Sequence, residues 1–387
     1  MVAFRFGLND MRILHTIPGR NWGGMEHRTI EQVRWLMNHG HDVWLAAPED
    51  GEPYRRAKAL GLPMVPINFD PPWHPSTLRR LRAFVRANRM DVIDSHYTRD
   101  AKAALACLGL CAVVRSRHVN QPMKPSLVRR LQWRAADHVI TVADCTRDHL
   151  VEIGLADPAR TTAIGGWADE RFFQLADPVA TRARLRGELD LPADAFVLVC
   201  VAMLRPDKGQ DHLIDALGLL KQRGLTPVTV LAGSPTAESA EYEAGLHVRI
   251  AERGVDVRFV GYRDDISELM QMADTVVIPA LTEAQPRVAV QAFATGRPVV
   301  ASCVGGVPEI VRHGETGWLV PPADPVALAD AIAKVMVEPA AAAQVAAGAR
   351  ALAEHSMRFD HRMAQTLATY DIAVRRAKSR SFLRVRS

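Results

Sequence analysis

The stretch that most limits what this chain can fold into is residues 275–320, TVVIPALTEAQPRVAVQAFATGRPVVASCVGGVPEIVRHGETGWLV. Residues 275–279 form a short, apolar, β-branched run, the mark of a strand buried on both faces in a parallel sheet. A polar turn holding Glu283 follows. Pro286 suits the first position of a helix, where its missing N–H costs nothing. Val288, Val290, Ala292 and Phe293 then carry apolar positions toward Gly296, a C-terminal stop. Residues 298–302 read as a second strand, and Gly305-Gly306 as the turn into another helix. This order predicts an α/β domain with a parallel sheet. In such domains ligands gather where strand carboxyl ends meet helix N-termini.

The same alternation opens the chain. Residues 12–18 read as a strand and residues 26–39 as a helix, with Ile30, Val33, Trp35, Leu36 and Met37 for its buried face. Gly40 ends that helix, and residues 43–47 form the next strand. Gly23-Gly24 sits after the first strand and reads equally as a tight turn or as backbone N–H groups approaching a phosphate or sugar. There is no G-x-G-x-x-G, which argues against a nicotinamide-type Rossmann enzyme. Residues 74–89 form a basic amphipathic helix, read as solvated charge or as contact with anionic headgroups. Strand 91–95 leads to His96, and strand 113–117 ends at His118, flanked by Arg115 and Arg117. Lys124, Arg129, Arg130 and Arg134 follow with Trp133, either as exposed charge or as a surface for an anionic acceptor or membrane.

Residues 174–195, holding Asp, Pro and Arg, read as an interdomain connection. A second α/β series follows: strand 196–202, a loop carrying Arg205 and Lys208, helix 213–220, and strands 228–232 and 257–260. Arg263 lies in the acidic turn opening the next helix. The chain has 387 residues, 48% of them hydrophobic and 24% charged, enough for two folded domains. Its five cysteines are scattered without metal-site spacing, which suits reduced core thiols in a cytoplasmic protein. No signal peptide is visible; residues 1–10 can precede a natural start at Met11, and the longest apolar run, residues 103–114, is too short for a bilayer. The net charge of +5 fits nucleic acid, an anionic membrane or a phosphorylated small molecule without choosing among them. With aromatics at 6% and no recognised nucleic-acid motif, a nucleic-acid partner is not expected.

Taken in order, Glu283, Gly296-Arg297-Pro298-Val299-Val300-Ala301, Gly305-Gly306-Val307-Pro308-Glu309 and Gly314-Glu315-Thr316-Gly317-Trp318-Leu319-Val320 resemble the donor-binding core of the family 4 retaining glycosyltransferases. Gly23-Gly24-Met25-Glu26 resembles that family's Gly-Gly-x-Glu loop. Gly165-Gly166-Trp167-Ala168-Asp169 resembles its Asn-Gly-Val-Asp turn, with Gly165-Gly166 in place of Asn-Gly. A second family glutamate, expected eight positions after Glu283, is replaced by Gln291.

The resemblance implies an α/β fold of the GT-B class, two Rossmann-like domains facing a central cleft, with a C-terminal helix crossing back to the first. It places an acceptor-side domain at residues 1–173, the connection at 174–195, a nucleotide-sugar domain at 196–358 and the returning helix at 359–387. The helix itself is expected over residues 359–374, followed by a disordered basic tail from Arg375 to Arg386. It implies catalytic roles for His118, Glu283, Arg205 and Lys208. Donor binding would fall to Gly23, Gly24, Arg205, Lys208, Arg263, Glu283, Gln285, Pro286, Arg287, Val288 and Gln291. His96, Arg117 and Lys124 would lie on the acceptor side. No cofactor and no essential metal are implied, because protein cations and helix N–H groups hold the diphosphate. The implied partners are a nucleotide sugar and a cell-envelope glycan or lipid-linked acceptor, with the protein cytoplasmic or peripheral on the inner face of the membrane. A nucleotide-sugar epimerase of the same fold, and a non-catalytic basic binding protein on this scaffold, are the competing readings.

Overall fold

The computed structural model describes residues 10–174, 177–236 and 239–385. Among them, residues 10–164 with 363–385 form one unit and residues 165–362 the other.

The first unit is built on a parallel sheet of β1 (Arg12–Thr16), β2 (Asp42–Ala47), β3 (Met64–Pro66), β4 (Val92–Ser95), β5 (Ala112–Arg117), β6 (His138–Thr141) and β7 (Thr161–Ala163). Their spatial order is β3-β2-β1-β4-β5-β6-β7. Leu14 on β1 lies opposite Trp44 on β2 and Ile93 on β4. Helices cover both faces, so four of the five β1 residues are buried rather than alternate ones. Leu81 and Val85 of the basic helix Pro75–Ala87 join Leu14, Phe69 and Ile93 in one core.

The second unit holds β8 (Val197–Val201), β9 (Val228–Ala232), β10 (Val257–Gly261), β11 (Thr275–Ile278), β12 (Val299–Ser302) and β13 (Trp318–Val320), again all parallel, in the order β10-β9-β8-β11-β12-β13. The helix Arg287–Ala294 crosses from β11 to β12 and buries Ala289, Val290, Ala292 and Phe293 against them. In each sheet the strand order reverses once, between β1 and β4 and between β8 and β11. Loops leaving the carboxyl ends of such neighbours diverge to opposite faces and open a crevice within that unit.

Several expectations need correction. The division falls after Ile164, not after residue 173. Residues 174–195 are more than a connector: the helix Pro178–Glu188 belongs to the second unit, where Arg182 and Arg186 both pair with Asp274, at 2.6 and 3.0 Å. Gly305-Gly306 leads into a single 3-10 turn, Val307–Glu309, not a helix. The basic tail is helical, since Phe359–Val385 is one element. Arg380 reaches the buried Asp137 carboxylate at 2.9 Å, and Arg376 Nη1 lies 3.3 Å from His138 Nδ1. A carboxylate taken out of water needs such a partner, and that orders the tail. Arg386 and residues 1–9 lie outside the described residues. Among the described residues no helix is long and apolar enough to cross a membrane.

Candidate functional site

In the second unit Lys208 and Glu283 meet at the β8/β11 reversal. The chain leaves β8 through the turn Pro206–Lys208, and Gly209 then takes a left-handed conformation, φ 66°, that opens the helix Gln210–Gln222. This carries Lys208 to the loop after β11, where its Nζ donates to Glu283 Oε1 at 2.5 Å. Both side chains are about four-fifths buried. Leu281 N–H donates to the Asp207 carbonyl, tying the two loops together. Arg205 Nε donates to Asp207 Oδ1 at 2.8 Å.

The helix Arg287–Ala294 begins beside this pair. Pro286 is its N-cap rather than its first residue, and no side chain caps it. Pro286 has no side-chain acceptor to offer the helix's first N–H groups, unlike the Ser, Thr, Asp or Asn usual at that position. Gln285 Oε1 instead accepts from Gly166 N–H at 2.5 Å, so Gln285 fastens the Gly165-Gly166 turn. The Arg287 guanidinium lies 5.5 Å from the centre of the Trp167 ring. Gln291 sits one turn after Arg287 and is half-buried. Arg263 is committed elsewhere: it makes paired bonds to Asp265 and a third to Glu188, and these carboxylates raise its pKa.

In the first unit, Gly23 precedes the helix Gly24–Asn38 just beyond β1. A side chain at Gly24 would enter open space, whereas one at Gly23 would press the Glu26 carboxylate. Glu26 is buried and accepts from the Tyr97 hydroxyl. At the β1/β4 reversal a line of imidazoles runs across three strand ends. His15 Nδ1 is 2.9 Å from His96 Nε2, and His96 Nδ1 is 2.9 Å from His118 Nε2. Asp94 lies alongside and accepts from Ser116 at 2.8 Å and from Tyr370 at 2.6 Å. Asp100 accepts from Thr16 and from the N–H groups of His96 and Tyr97.

The expected acceptor-side role of His96 is not met, because the ring is buried and both its nitrogens are engaged by other histidines. Arg117 donates to the Gln121 carbonyl at 2.8 Å, and Lys124 is exposed. The sequence reading missed His15, Asp94 and Tyr370. The one available signal was a histidine inside the otherwise apolar run of β1. His15, Asp94 and His96 bring donor atoms within 4.8 Å of one another, a spacing that suits a metal ion. Both Asp94 oxygens and the facing ring nitrogens already hold hydrogen bonds, which makes the group a hydrogen-bonded column with His15 Nε2 left over at its end.

Burial sets the charge of this column. It lowers His15 to about 3, helped by His96 and opposed by Asp94, lowers His96 to about 3, helped by Arg28, and lowers His118 well below 6.5, helped by His96 and Arg28. These rings bind a proton in the unfolded chain below about 6.5 and not in the folded one until far lower pH, so their contribution to stability falls as pH drops. Burial raises Asp94, and raises Asp100 to about 7; these two act in the opposite sense. His41 and His138, also lowered by burial, reinforce the imidazoles. Asp137 is raised by burial as well, and the five lowered imidazoles outnumber the three raised carboxylates, so on balance stability falls as pH drops below about 6.5. Urea midpoints at pH 7 and pH 4.5 measure this, and a midpoint that rises on acidification contradicts it.

Residues 181–352 match the family Glycosyl transferases group 1, and residues 22–170 match Glycosyltransferase Family 4. A D-inositol 3-phosphate glycosyltransferase of Mycobacterium avium is 35% identical over 246 residues, covering 62% of this chain and 56% of that relative. The match thus spans little more than half of that relative's length. The protein of the same name from Stackebrandtia nassauensis is 30% identical over 314 residues, covering 74% of this chain and 69% of the relative. Among solved structures, Anabaena HepE in complex with UDP superposes with a TM-score of 0.81 at 24% identity, covering 93% of this chain and 100% of that one. A Rickettsia africae glycosyltransferase gives a TM-score of 0.85 at 17% identity, covering 95% and 99%. With two parallel-sheet units of the GT-B class and sequence matches along both, the chain belongs to glycosyltransferase family 4.

Proposed function

We propose that this chain is a retaining glycosyltransferase that moves a sugar from a nucleoside-diphosphate donor to an acceptor bearing an anionic group. The observation that carries the reading is the Lys208–Glu283 pair beside an uncapped helix N-terminus at the β8/β11 reversal. As the glycosidic bond breaks, charge builds on the diphosphate. Lys208, Arg205 and the N–H groups of Arg287 and Val288 are the groups we assign to it, and they act most strongly on the charge that develops in the transition state. These groups supply the positive charge, so no metal is required in this scheme. Glu283 accepts from donor sugar hydroxyls, and Gln291 takes the place of a carboxylate toward the ribose, exchanging charge for two added donors. The leaving phosphate assists removal of the acceptor proton on the same face, and we assign His118 a hydrogen bond to a sugar hydroxyl.

The relatives' names support a phosphorylated acceptor, and complexes of HepE with UDP and UDP-glucose support a uridine donor. In the first unit a cavity of about 240 Å³ is lined by Lys102, Arg115, Arg129 and Trp133, with Arg115 stacked 3.8 Å over the Trp133 ring. That basic cavity fits an anionic acceptor group. Beside it the helix Leu127–Arg134 exposes Leu127, Val128 and Leu131 among Arg129, Arg130 and Arg134, a surface suited to an anionic membrane and a lipid-linked or cell-envelope acceptor.

The test is thermal unfolding of the full chain with uridine, guanosine and adenosine diphosphate sugars. A true donor at a hundred times its Kd stabilises by about 2.7 kcal/mol, with or without EDTA. NMR of the product should show the donor's anomeric configuration retained. An epimer formed from donor alone would point to the epimerase reading, and no shift with any nucleotide sugar would reject the proposal.

A further inference from the structure

Three neutral imidazoles joined by two N···N hydrogen bonds have only two arrangements. Each ring has one N–H and one bare nitrogen. His96 uses one nitrogen toward His15 and the other toward His118, so if it donates to one it accepts from the other. The protons therefore all point toward His15 or all point toward His118. The tautomer of His118 is coupled to events at a ring two residues down the column, on a different strand.

The surroundings distinguish the two arrangements. Asp94 is an acceptor on both oxygens, from Ser116 and from Tyr370, whose phenol burial and Asp94 keep protonated. Its negative charge lies at the His15 end and favours a ring proton there. Arg28 and Arg117 place positive charge near His118, and Arg28 also acts on His96. That charge disfavours a proton at the His118 end and keeps the rings from becoming cations. Asp100 is bound to Thr16 and to backbone N–H groups, and its carboxylate does not bond a ring. The end atoms, His15 Nε2 and His118 Nδ1, are both buried without a partner among the described residues.

We propose that His15, His96 and Asp94 are positioning residues that hold His118 as the Nε2–H tautomer, presenting a bare Nδ1 as a hydrogen-bond acceptor. His118 Nε2–H donates to His96 Nδ1, and His96 Nε2–H donates to His15 Nδ1. His15 then carries its proton on Nε2. The sugar hydroxyl that His118 receives must donate, so the column selects a donor group at that position. The role given to His118 rests on the glycosyl-transfer reading, whereas the tautomer does not.

The experiment is nitrogen NMR of the full chain labelled with 15N-histidine, with His118 assigned by the signals lost in His118→Asn. The expected result is one tautomer, Nε2 protonated and Nδ1 bare. In Asp94→Asn that signature should be lost, with His118 shifting toward the Nδ1–H form, while Tyr370→Phe, a milder change, should move it part of the way. A protonated Nδ1 in the unaltered chain overturns the proposal without any variant having to fold. So does an unchanged His118 tautomer in a folded Asp94→Asn protein, or a stoichiometric divalent ion found on the purified chain. No substrate enters these measurements, so a wild-type turnover in His118→Ala would reject the functional reading and leave the tautomer result standing.

Discussion

Lys208→Ala is expected to lower turnover by about a hundredfold to a thousandfold, the usual scale for removing one preorganised donor to a developing charge. The side chain is four-fifths buried and held against Glu283, so its ammonium arrives at the site already oriented. Two effects combine in the variant. The diphosphate loses a fixed cation, and Glu283 loses its partner while remaining largely out of water. If the cation acts on charge that appears during bond breaking, the loss falls on kcat, with donor KM changed far less. Steady-state kinetics with the donor identified by thermal unfolding decides it. A kcat within threefold of the parent would remove Lys208 from the proposed machinery.

Gly209→Ala is expected to destabilise the second unit by about 3 kcal/mol or more, at the upper end of single substitutions. Two penalties coincide. The backbone is left-handed at φ 66°, a conformation that costs an L-residue about 1–2 kcal/mol. In addition, a Cβ there would stand 2.1 Å from the Pro279 carbonyl oxygen, a backbone atom with no rotamer to move. The loops after β8 and β11 touch at this point, so the substitution should push Lys208 away from Glu283 as well. Gly224→Ala is the control: φ is 79°, but none of the described residues lies within 4 Å of the added carbon, so only the conformational penalty applies. Urea unfolding of both variants, with the nucleotide-sugar thermal shift alongside, measures stability and site geometry together. Equal losses in the two would mean that the close approach to Pro279 is relieved at no cost.

Much of the fold was legible because both sheets are buried on both faces, which leaves continuous runs rich in β-branched residues such as 275–278 and 197–201. The Lys208 and Glu283 loops were legible for the same reason, since each follows directly on such a run. The helix Pro178–Glu188 was missed although its signal was present. Asp177 accepts from Ala180 N–H at 2.9 Å and Pro178 follows at once, a helix start that reads as a linker when Asp and Pro are taken as breakers. The histidine column was illegible for a different reason. Its members come from three separate strands, and only the order β1-β4-β5 places their ends side by side. No local pattern encodes that adjacency. The basic tail was misjudged because its anchors, Asp137 and His138, lie more than 200 positions earlier in the chain.

The bond from Tyr370 to Asp94 joins positions 276 residues apart within one unit. A ribosome making this protein releases the Asp94 strand long before the Tyr370 helix. The whole of the second unit is therefore translated before the first can finish its interior. Until then Asp94 lacks one of its two hydroxyl donors, and the imidazoles beside it lack a settled neighbour. The first unit is thus begun before the second and completed after it.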